Sequence, residues 1–489
     1  MISAIHLNLN ALGKQTGNVP VKVDIYDASL KRIDSRWLKA SETLSLPVPP
    51  GIYGVRATLA SGALFEQTIQ VKSGEQGTCT LELYQASPHE DHEWAYLTQP
   101  INPVGERLLS EKQYKSVWLR MWRRSRDGSW EIVPIPVNDV QQATWNEDGV
   151  TYSFHTSSSR LHLLQVGGPE IPWKNVALPS SQEVMVLVRP AAGPVEAVHP
   201  LDVVVSSDDW RTESLLSLMQ RGDLSTAQSL YDELQLAEEL LRQKMVNTNA
   251  AAVGGYFLLR ARDLERLHNW ANNLANWFEW MADGPVIHAW QIIMESKDKS
   301  KQRSGLLEQA RMRLLEAVSR GFPIYTEGLR LLRDGLLYFD SRAQGKDTEI
   351  ATALTRIGAY AGAADWSATN TTFTGKSPGT PEAGARKGTP KDKAHLIYVF
   401  DVPLAEILSK AKIKPNEALI AEVSGKKLHT ILKESGELQL EDGRTFKDLG
   451  ALQKHATGDT RNAWWTWRTA GDDESLDSIA TSLRISPMT

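Results

Sequence analysis

Cysteine is almost absent: Cys79 is the only one in 489 residues. A disulfide framework within the chain and a cysteine-rich zinc site are therefore excluded, and this usage fits a reducing cytoplasm. No run of about eighteen consecutive apolar residues occurs, which argues against a membrane-spanning helix and a membrane partner. Met1 to Leu12 lacks the charged start and long apolar stretch of a secretion signal. Excess charge of one sign is missing too. The net charge is -5 and the isoelectric point about 6.2, so the chain as a whole has no polyanion-binding footprint and any such surface has to be local. The common catalytic signatures are also missing: no GxxxxGK[ST] phosphate loop, HExxH, GxSxG, GxGxxG after a strand, or Asp-rich calcium loop is present. No cofactor or metal is called for.

What is present is an ordinary globular composition, 41% apolar and 23% charged, over a length that suits several domains. The patterning predicts a multidomain chain. An N-terminal antiparallel β-sandwich is expected over 1–86, a second β-rich domain over 91–206, an all-α, helical-repeat-like platform over 207–361, a flexible linker over 362–393, a small α+β domain over 394–470, and a tail over 471–489.

In the first segment, Val21 to Tyr26 alternates apolar and polar residues, and the turn residues Pro49-Pro50-Gly51 lead into a second alternating run, Tyr53 to Ala57. The LPVPPGIYGVRATL stretch resembles small sandwich modules of the prealbumin or carboxypeptidase-regulatory type, which implies an adhesive or structural role. Cys79 lies within an alternating strand, where a structural role outweighs a nucleophilic one. His89, Glu90, Asp91 and His92 are metal-ligand types, but as loop neighbours they read as a solvated connection. Farther on, period two puts Val117, Leu119 and Met121 on one face of a strand and Trp118, Arg120, Trp122 and Arg124 on the other. The second face has two readings: a ladder that stacks bases over a basic strip, or arginines packed over tryptophans at a domain contact.

Asp208 and Asp209 cap a switch to helix. The stretch Asn247 to Met294 is the most tryptophan-dense apolar run of the chain, and its spacing fits two helices of a packed hairpin, with Asn247 and Asn249 as caps and Asp283-Gly284-Pro285 as a stop and restart. Gly254-Gly255 costs about 1 kcal/mol per glycine against alanine in a helix, so a close helix-helix approach is expected in return. Trp270, Trp277, Trp280 and Trp290 are read first as an aromatic core and second as a partner-binding patch. Short connections suggest an irregular solenoid, a shape that binds proteins. The residues Ala251 to Arg260 (AAVGGYFLLR), Leu267-His268-Asn269-Trp270, Asp283-Gly284-Pro285-Val286-Ile287 and Arg320-Gly321-Phe322-Pro323-Ile324 resemble a helical module of uncharacterised bacterial proteins found beside caspase-like proteases. The resemblance implies a scaffold that accompanies an enzymatic partner. His268 and His288 lack an evident third ligand and are not expected to hold a metal.

The stretch 367–393, SATNTTFTGKSPGTPEAGARKGTPKDK, has almost no large apolar residue and reads as a tether. After it come a short helix at 403–411, a hairpin around Ser424-Gly425, a second around Asp442-Gly443, a helix from Leu449 and a last strand at Trp464 to Trp467. The Ile413-Lys414-Pro415 step, Gly425-Lys426 to Thr430, Asp442-Gly443 to Phe446 and Asn462-Ala463-Trp464-Trp465-Thr466-Trp467 resemble the RAMA domain associated with restriction enzymes and adenine methylases, with Ala463 where that family has glycine. The resemblance implies recognition of DNA, with Lys426, Lys427, Arg444, Lys454, Arg461, Trp464, Trp465 and Trp467 as candidate contacts, although nearby acidic residues offset much of the charge.

These features point to a cytoplasmic, non-catalytic adaptor or scaffold of a bacterial, defence-associated complex. Its partners would be other proteins, among them a caspase-like protease or a nuclease, and DNA through the C-terminal domain. A DNA-binding sensor acting through residues 394–489 is the alternative. An enzyme with an unrecognised site is the second alternative, for which no constellation of residues is evident.

Overall fold

Alternating apolar positions fold the N-terminal segment into two facing sheets. In the computed structural model, the described residues are 3–12, 16–87, 92–101, 106–110, 113–114, 116–133, 135, 137–142, 149–156, 159–180, 183–192, 199–233, 240, 247–297, 302–383, 387–388, 395–396, 404, 413–423, 426–447, 449–457, 466–476 and 479. Strands β1 (Ala4–Asn10), β2 (Pro20–Asp27), β3 (Arg32–Lys39), β4 (Thr43–Pro47), β5 (Gly51–Leu59), β6 (Leu64–Val71) and β7 (Gln76–Glu82) form sheets ordered β4-β1-β7 and β3-β2-β5-β6. Ile5, Leu7, Val21, Val23, Val55 and Ala57 fill the space between them. One pairing departs from the antiparallel expectation: β1 and β7 run parallel, with Leu7 opposite Cys79. Cys79 is buried, its Sγ 3.2 Å from Gln67 Oε1, and burial pushes the thiol up to about 11. Of the four residues read as a solvated connection, His89, Glu90 and Asp91 lie outside the described residues, whereas His92 is buried at the start of α1 (Glu93–Thr98).

The second β region has β8 (Trp118–Arg124), β9 (Trp130–Val133), β10 (Val137–Gln142), β11 (Val150–His155), β12 (His162–Gly167), β13 (Lys174–Leu178), β14 (Glu183–Pro190) and β15 (Leu201–Ser207). Strands β10-β11-β14-β15 make one sheet, and β12 sits between β8 and β13 in another. Leu119, Met121, Leu164 and Val166 face Val150, Tyr152, Val184 and Val186 across a shared core, which places the aliphatic face of β8 inward as its alternation requires. The opposite faces are covered as well. Leu161, Leu163 and Ala177 join the core of the helices, while Met185 and Leu187 join that of the N-terminal sandwich. The Trp-Arg ladder of β8 is packed and cannot stack bases at Trp118 or Arg120, both of which are buried. The Arg120 guanidinium lies 5.6, 4.9 and 5.6 Å from the rings of Trp118, Trp122 and Trp173 and donates to Gln165 Oε1 at 3.0 and 2.6 Å.

The helices are α2 (Trp210–Gln220), α3 (Leu224–Glu233), α4 (Thr248–Ala261), α5 (Leu264–Leu267), α6 (Trp270–Trp277), α7 (Asp283–Glu295), α8 (Arg303–Arg320), α9 (Thr326–Ala343) and α10 (Thr348–Ala363). Asp209 caps α2 by accepting from Thr212 N, and Asn247 caps α4 by accepting from Ala250 N at 2.9 Å. The run expected to form two helices is divided into four, α4 to α7, and its restart at Asp283 opens α7. Helix α7 is apolar on nearly every side and packs against α4, α6, α8 and α9. The helices thus gather around one buried member, unlike a solenoid, in which each repeat touches only its neighbours. The expected close approach is present. A Cβ on Gly255 would lie 2.9 Å from Ile287 Cδ1, so α4 meets α7 where a side chain is missing.

After α10 the chain re-enters the second β region. Strand β16 (Thr372–Ser377) pairs antiparallel with β13, Phe373 opposite Asn175; β17 (Thr380–Pro381) folds back on β16; β18 (His395–Leu396) pairs with β8. Ala177 N donates to Thr371 O at 2.9 Å, Thr371 N to Ile324 O at 2.7 Å, and Thr326 N to Thr369 O at 3.0 Å. The flexible linker expected over 362–393 is therefore wrong for its first half, and the boundary between 91–206 and 207–361 does not separate independent units. Threonine and glycine complete a sheet edge through backbone hydrogen bonds, and one buried ring, Phe373, anchors the strand, so a composition poor in apolar residues is misleading here.

The C-terminal module has β19 (Glu417–Val423), β20 (Lys426–Leu432), β21 (Leu438–Leu440), β22 (Thr445–Phe446), α11 (Leu449–Thr457) and β23 (Arg468–Thr469), in the sheet order β22-β21-β20-β19-β23. Both expected hairpins are present. Among the described residues the last strand is Arg468–Thr469, which pairs with β19; of the expected strand, Trp464 and Trp465 lie outside the described residues, and Thr466 and Trp467 are not in a strand. Of the helix expected at 403–411, only Leu404 lies within the described residues. Leu476 and Ile479, from the expected tail, pack into the module's core, which also takes in Trp118 and Trp173.

Two buried carboxyls give stability a pH dependence. Glu213 accepts from Ser207 N and Oγ at 3.0 and 2.8 Å, and burial pushes it up to about 7. Asp283 accepts from Tyr256 Oη and Ile324 N, both at 2.8 Å, and burial pushes it up to about 6. The folded chain then holds protons that the unfolded chain has released, so the contribution of these two groups to stability is greatest below the ordinary carboxylate range, falls as pH rises toward about 7, and levels off above it; the buried His162 and His288, both brought down to about 4, contribute in the opposite sense over the same range. Urea midpoints of wild type and Glu213→Gln at about pH 5 and pH 7.5 isolate the Glu213 contribution: relative to the variant, wild type should lose stability between the two pH values. Phe373→Ala should cost about 3–5 kcal/mol in the same assay, whereas a free tether would give no change.

Candidate functional site

The β8–β9 hairpin ends over the helices. Its turn is closed by Ser125 N donating to Ser129 O at 2.8 Å and Gly128 N to Ser125 O at 3.1 Å, which leaves Arg126 exposed at the tip. Arg124 N donates to Leu161 O at 2.9 Å and so brings Arg160, just before β12, alongside. The helical side contributes Trp277 at the end of α6, Glu279 and Trp280 from the following loop, Ser319 and Arg320 at the end of α8, and Arg356 from α10. Together these walls line a cleft of about 790 Å³, a size suited to an organic ligand.

Guanidinium groups hold the walls together. Arg320 donates to Ala275 O, Phe278 O and Met281 O at 2.8, 3.1 and 3.0 Å and to the Glu316 carboxylate. Arg124 donates to Ser319 O at 3.0 Å and Gly128 O at 3.4 Å, joining hairpin to helix. Burial lowers the pKa of both, for Arg124 with a further contribution from the nearby Arg356 cation, yet arginine remains a cation throughout the physiological range. Gly321 is required on two counts. Its φ is +117°, and a Cβ there would lie 2.8 Å from Arg124 Nη1. Behind the wall Trp130 stacks on Phe322 at 6.0 Å with 18° between the rings, and Phe322 packs against Tyr360 and Phe373.

Among the described residues, five arginines in this cleft face two carboxylates, Asp127 and Glu279. Asp127 is held by Ser129 N and Oγ at 3.0 and 2.7 Å, and those bonds depress its pKa. Guanidinium donors and aromatic faces bind anions and planar groups; they neither attack a substrate nor exchange protons near neutrality. The lining of the cleft is thus cationic and aromatic, with its carboxylates outnumbered.

The four tryptophans expected to bind a partner separate in space. Trp270 and Trp290 are half-buried against the helical core, Trp290 Nε1 donating to Leu331 O at 2.8 Å. Trp277, 53% exposed, and Trp280 line the cleft. Of the residues expected to contact nucleic acid, Lys427, Arg444 and Lys454 are exposed on the C-terminal module, with Arg444 donating to Asp442 at 2.8 Å. Trp467 is withdrawn from that set: it is 0% exposed, and its Nε1 donates to Gln453 Oε1 at 2.8 Å inside the module. Arg461, Trp464, Trp465 and the Lys426 side chain lie outside the described residues.

The cleft arginines went unnoticed in the sequence, where Arg124 and Arg356 stand far apart; only the ladder ending at Arg124 and the Arg320-Gly321-Phe322 motif pointed toward them. His268 and His288 line a different cleft, of about 400 Å³, with Glu265, Gln291 and Glu295, and burial brings His288 down to about 4. Among the described residues no three His, Cys, Asp or Glu side chains could together hold a metal ion, and no helix is long and apolar enough to cross a membrane.

Disabling this framework should separate structural from binding residues. Arg320→Ala leaves three carbonyls without their donor and Glu316 held by Arg313 alone and should cost about 3–5 kcal/mol, and Gly321→Ala about 1–3 kcal/mol. Trp277→Ala, at an exposed site, should stay within about 0.5 kcal/mol. Urea melts of the three variants test this ranking.

Residues 214–424 match a family model described as the Y4kD C-terminal domain. The similar span begins within α2, takes in the helices and the returning strands, and ends at the β19–β20 turn, leaving out the N-terminal sandwich. No curated protein and no solved structure matches the chain.

Proposed function

We propose that this chain is a non-catalytic adaptor that takes an anionic ligand into the cleft between hairpin and helices and offers its remaining surface to other proteins of a bacterial, defence-associated complex. The observation that carries the proposal is the cleft itself. Two of its cations, Arg124 and Arg320, are tied to backbone carbonyls before any ligand arrives, so the walls that carry Arg126, Arg160 and Arg356 are fixed in advance and less ordering cost remains to be met on binding. The enzymatic partner in this scheme is a caspase-like protease or a nuclease, as the resemblance of the helical segment implies. The alternative of a DNA sensor acting through the C-terminal module retains exposed Lys427 and Lys454, but it loses Trp467 to the core and shares Arg444 with Asp442.

Tagged wild-type chain recovered from a bacterial host should retain a protein partner in near-stoichiometric amount together with a bound anion. The variant Arg126→Glu/Arg160→Glu/Arg356→Glu should lose the anion, keep the protein partner and melt within a few degrees of wild type. Recovery of the chain alone, or an anion retained equally by the variant, refutes the proposal.

A further inference from the structure

We infer that the anion taken by the cleft is a phosphomonoester, its doubly charged phosphate bridging Arg124 and Arg356. This rests on the assignment of the cleft as an anion site and adds the charge of the bound group and its place.

The cations of the cleft are unequally provided for. Arg320 has the Glu316 carboxylate and three carbonyls, and the Glu279 carboxylate acts on it as well. Arg124 has carbonyls alone: Nε donates to Gly128 O and Nη2 to Ser319 O, which leaves Nη1 with no acceptor among the described residues. The cation nearest in effect to Arg124 is Arg356, close enough to disfavour its charge, and no carboxylate acts on it beside that. Arg356 itself makes no ion pair among the described residues. Neither carboxylate lining the cleft serves this pair, since Asp127 is held by Ser129 and Glu279 acts on Arg320.

Two neighbouring guanidinium groups with no anion between them repel each other. A carboxylate brings one negative charge and offsets one of the two. A phosphomonoester carries about two at neutral pH and has three oxygens, enough to meet both planar forks at once. In a nucleic-acid strand the charges are single and spaced along the backbone, which suits a line of cations and not a close pair. Glycine at position 321 keeps the place clear, because a Cβ there would lie 2.8 Å from Arg124 Nη1. The cleft, at about 790 Å³, is far larger than a phosphate ion, so an ester with an organic body suits it better than the free ion.

Calorimetric titration of the full chain with phenyl phosphate, methyl phenyl phosphate, benzoate and inorganic phosphate tests this. Phenyl phosphate should bind, and the two aromatic monoanions should bind at least about tenfold more weakly. Inorganic phosphate should compete for the same site with lower affinity; a higher affinity would make the free ion the ligand and overturn the ester. Arg356→Gln should weaken phenyl phosphate about tenfold or more at an unchanged melting temperature, whereas Arg126→Gln, at the hairpin tip, should weaken it less than about fivefold. Methyl phenyl phosphate or benzoate binding as tightly as phenyl phosphate, with the same loss in Arg356→Gln, would keep the anion site and overturn the doubly charged ligand. Phenyl phosphate binding indifferent to Arg356→Gln would overturn the bridging pair, and failure of every anion to bind would overturn both readings of the cleft.

Discussion

The antiparallel pairing of β16 with β13 is the constraint on which the rest of the architecture depends. Thr372 to Thr374 meet Val176 to Lys174 after the chain has passed through the whole helical layer, so the helices are enclosed between strands of a single sheet. The consequence is positional. With α10 leading directly into a strand of that sheet, Arg356 comes to share a wall with Ser319 and Arg320 opposite the β8–β9 hairpin. The returning strand adds to the contacts by which Leu161, Leu163 and Ala177 already join the sheet to the helical core.

Buried polar groups reinforce that junction. Lys174 Nζ, in β13, donates to Leu201 O at 3.2 Å and lies 3.5 Å from Asp365 Oδ2 on the returning segment. Asp283, at the start of the central helix, receives Tyr256 Oη from α4 and the backbone of Ile324. Arg260 and Glu327 form a two-pronged pair at 2.8 and 2.7 Å; burial pushes the Glu327 carboxyl up, but hydrogen bonds from Arg260 and Arg330 bring it below its ordinary value. Such groups tolerate only one arrangement of their neighbours, because a misplaced partner leaves a charge or carbonyl buried and unsatisfied. They specify the docking of the layers in a way that interchangeable apolar contacts do not.

Local patterning was a good guide wherever a rule acts over a few residues. The alternation of Val117, Leu119 and Met121 identified the inward face of β8, Asp209 and Asn247 were legible as helix caps, and Gly255 as a point of close approach. The two hairpins of the C-terminal module followed from their turn residues. Reading failed where the answer depended on what lay opposite. Trp467 looked available for stacking but fills the core of its module. The ladder of Trp118 and Arg120 had two readings, and its neighbours decided between them: Arg120 packs over tryptophans, closed off by Gln165 and Trp173. The threonine-rich stretch after α10 resembled a solvated spacer because nothing in its composition reveals a sheet edge waiting for it.

The sequence by itself determined the local elements, most of their caps and turns, and the faces they bury, since these follow from the helical and strand periods and from the conformations of individual residues. Only the tertiary structure decided that the helical segment is inserted between two paired strands of one sheet, that the expected linker is partly a strand, and that Arg124, Arg160, Arg320 and Arg356 line one cleft with Trp277. The physical reason is that hydrogen bonding at a sheet edge and charge in a cleft are relations between distant segments. Each takes its meaning from a partner that no local pattern encodes.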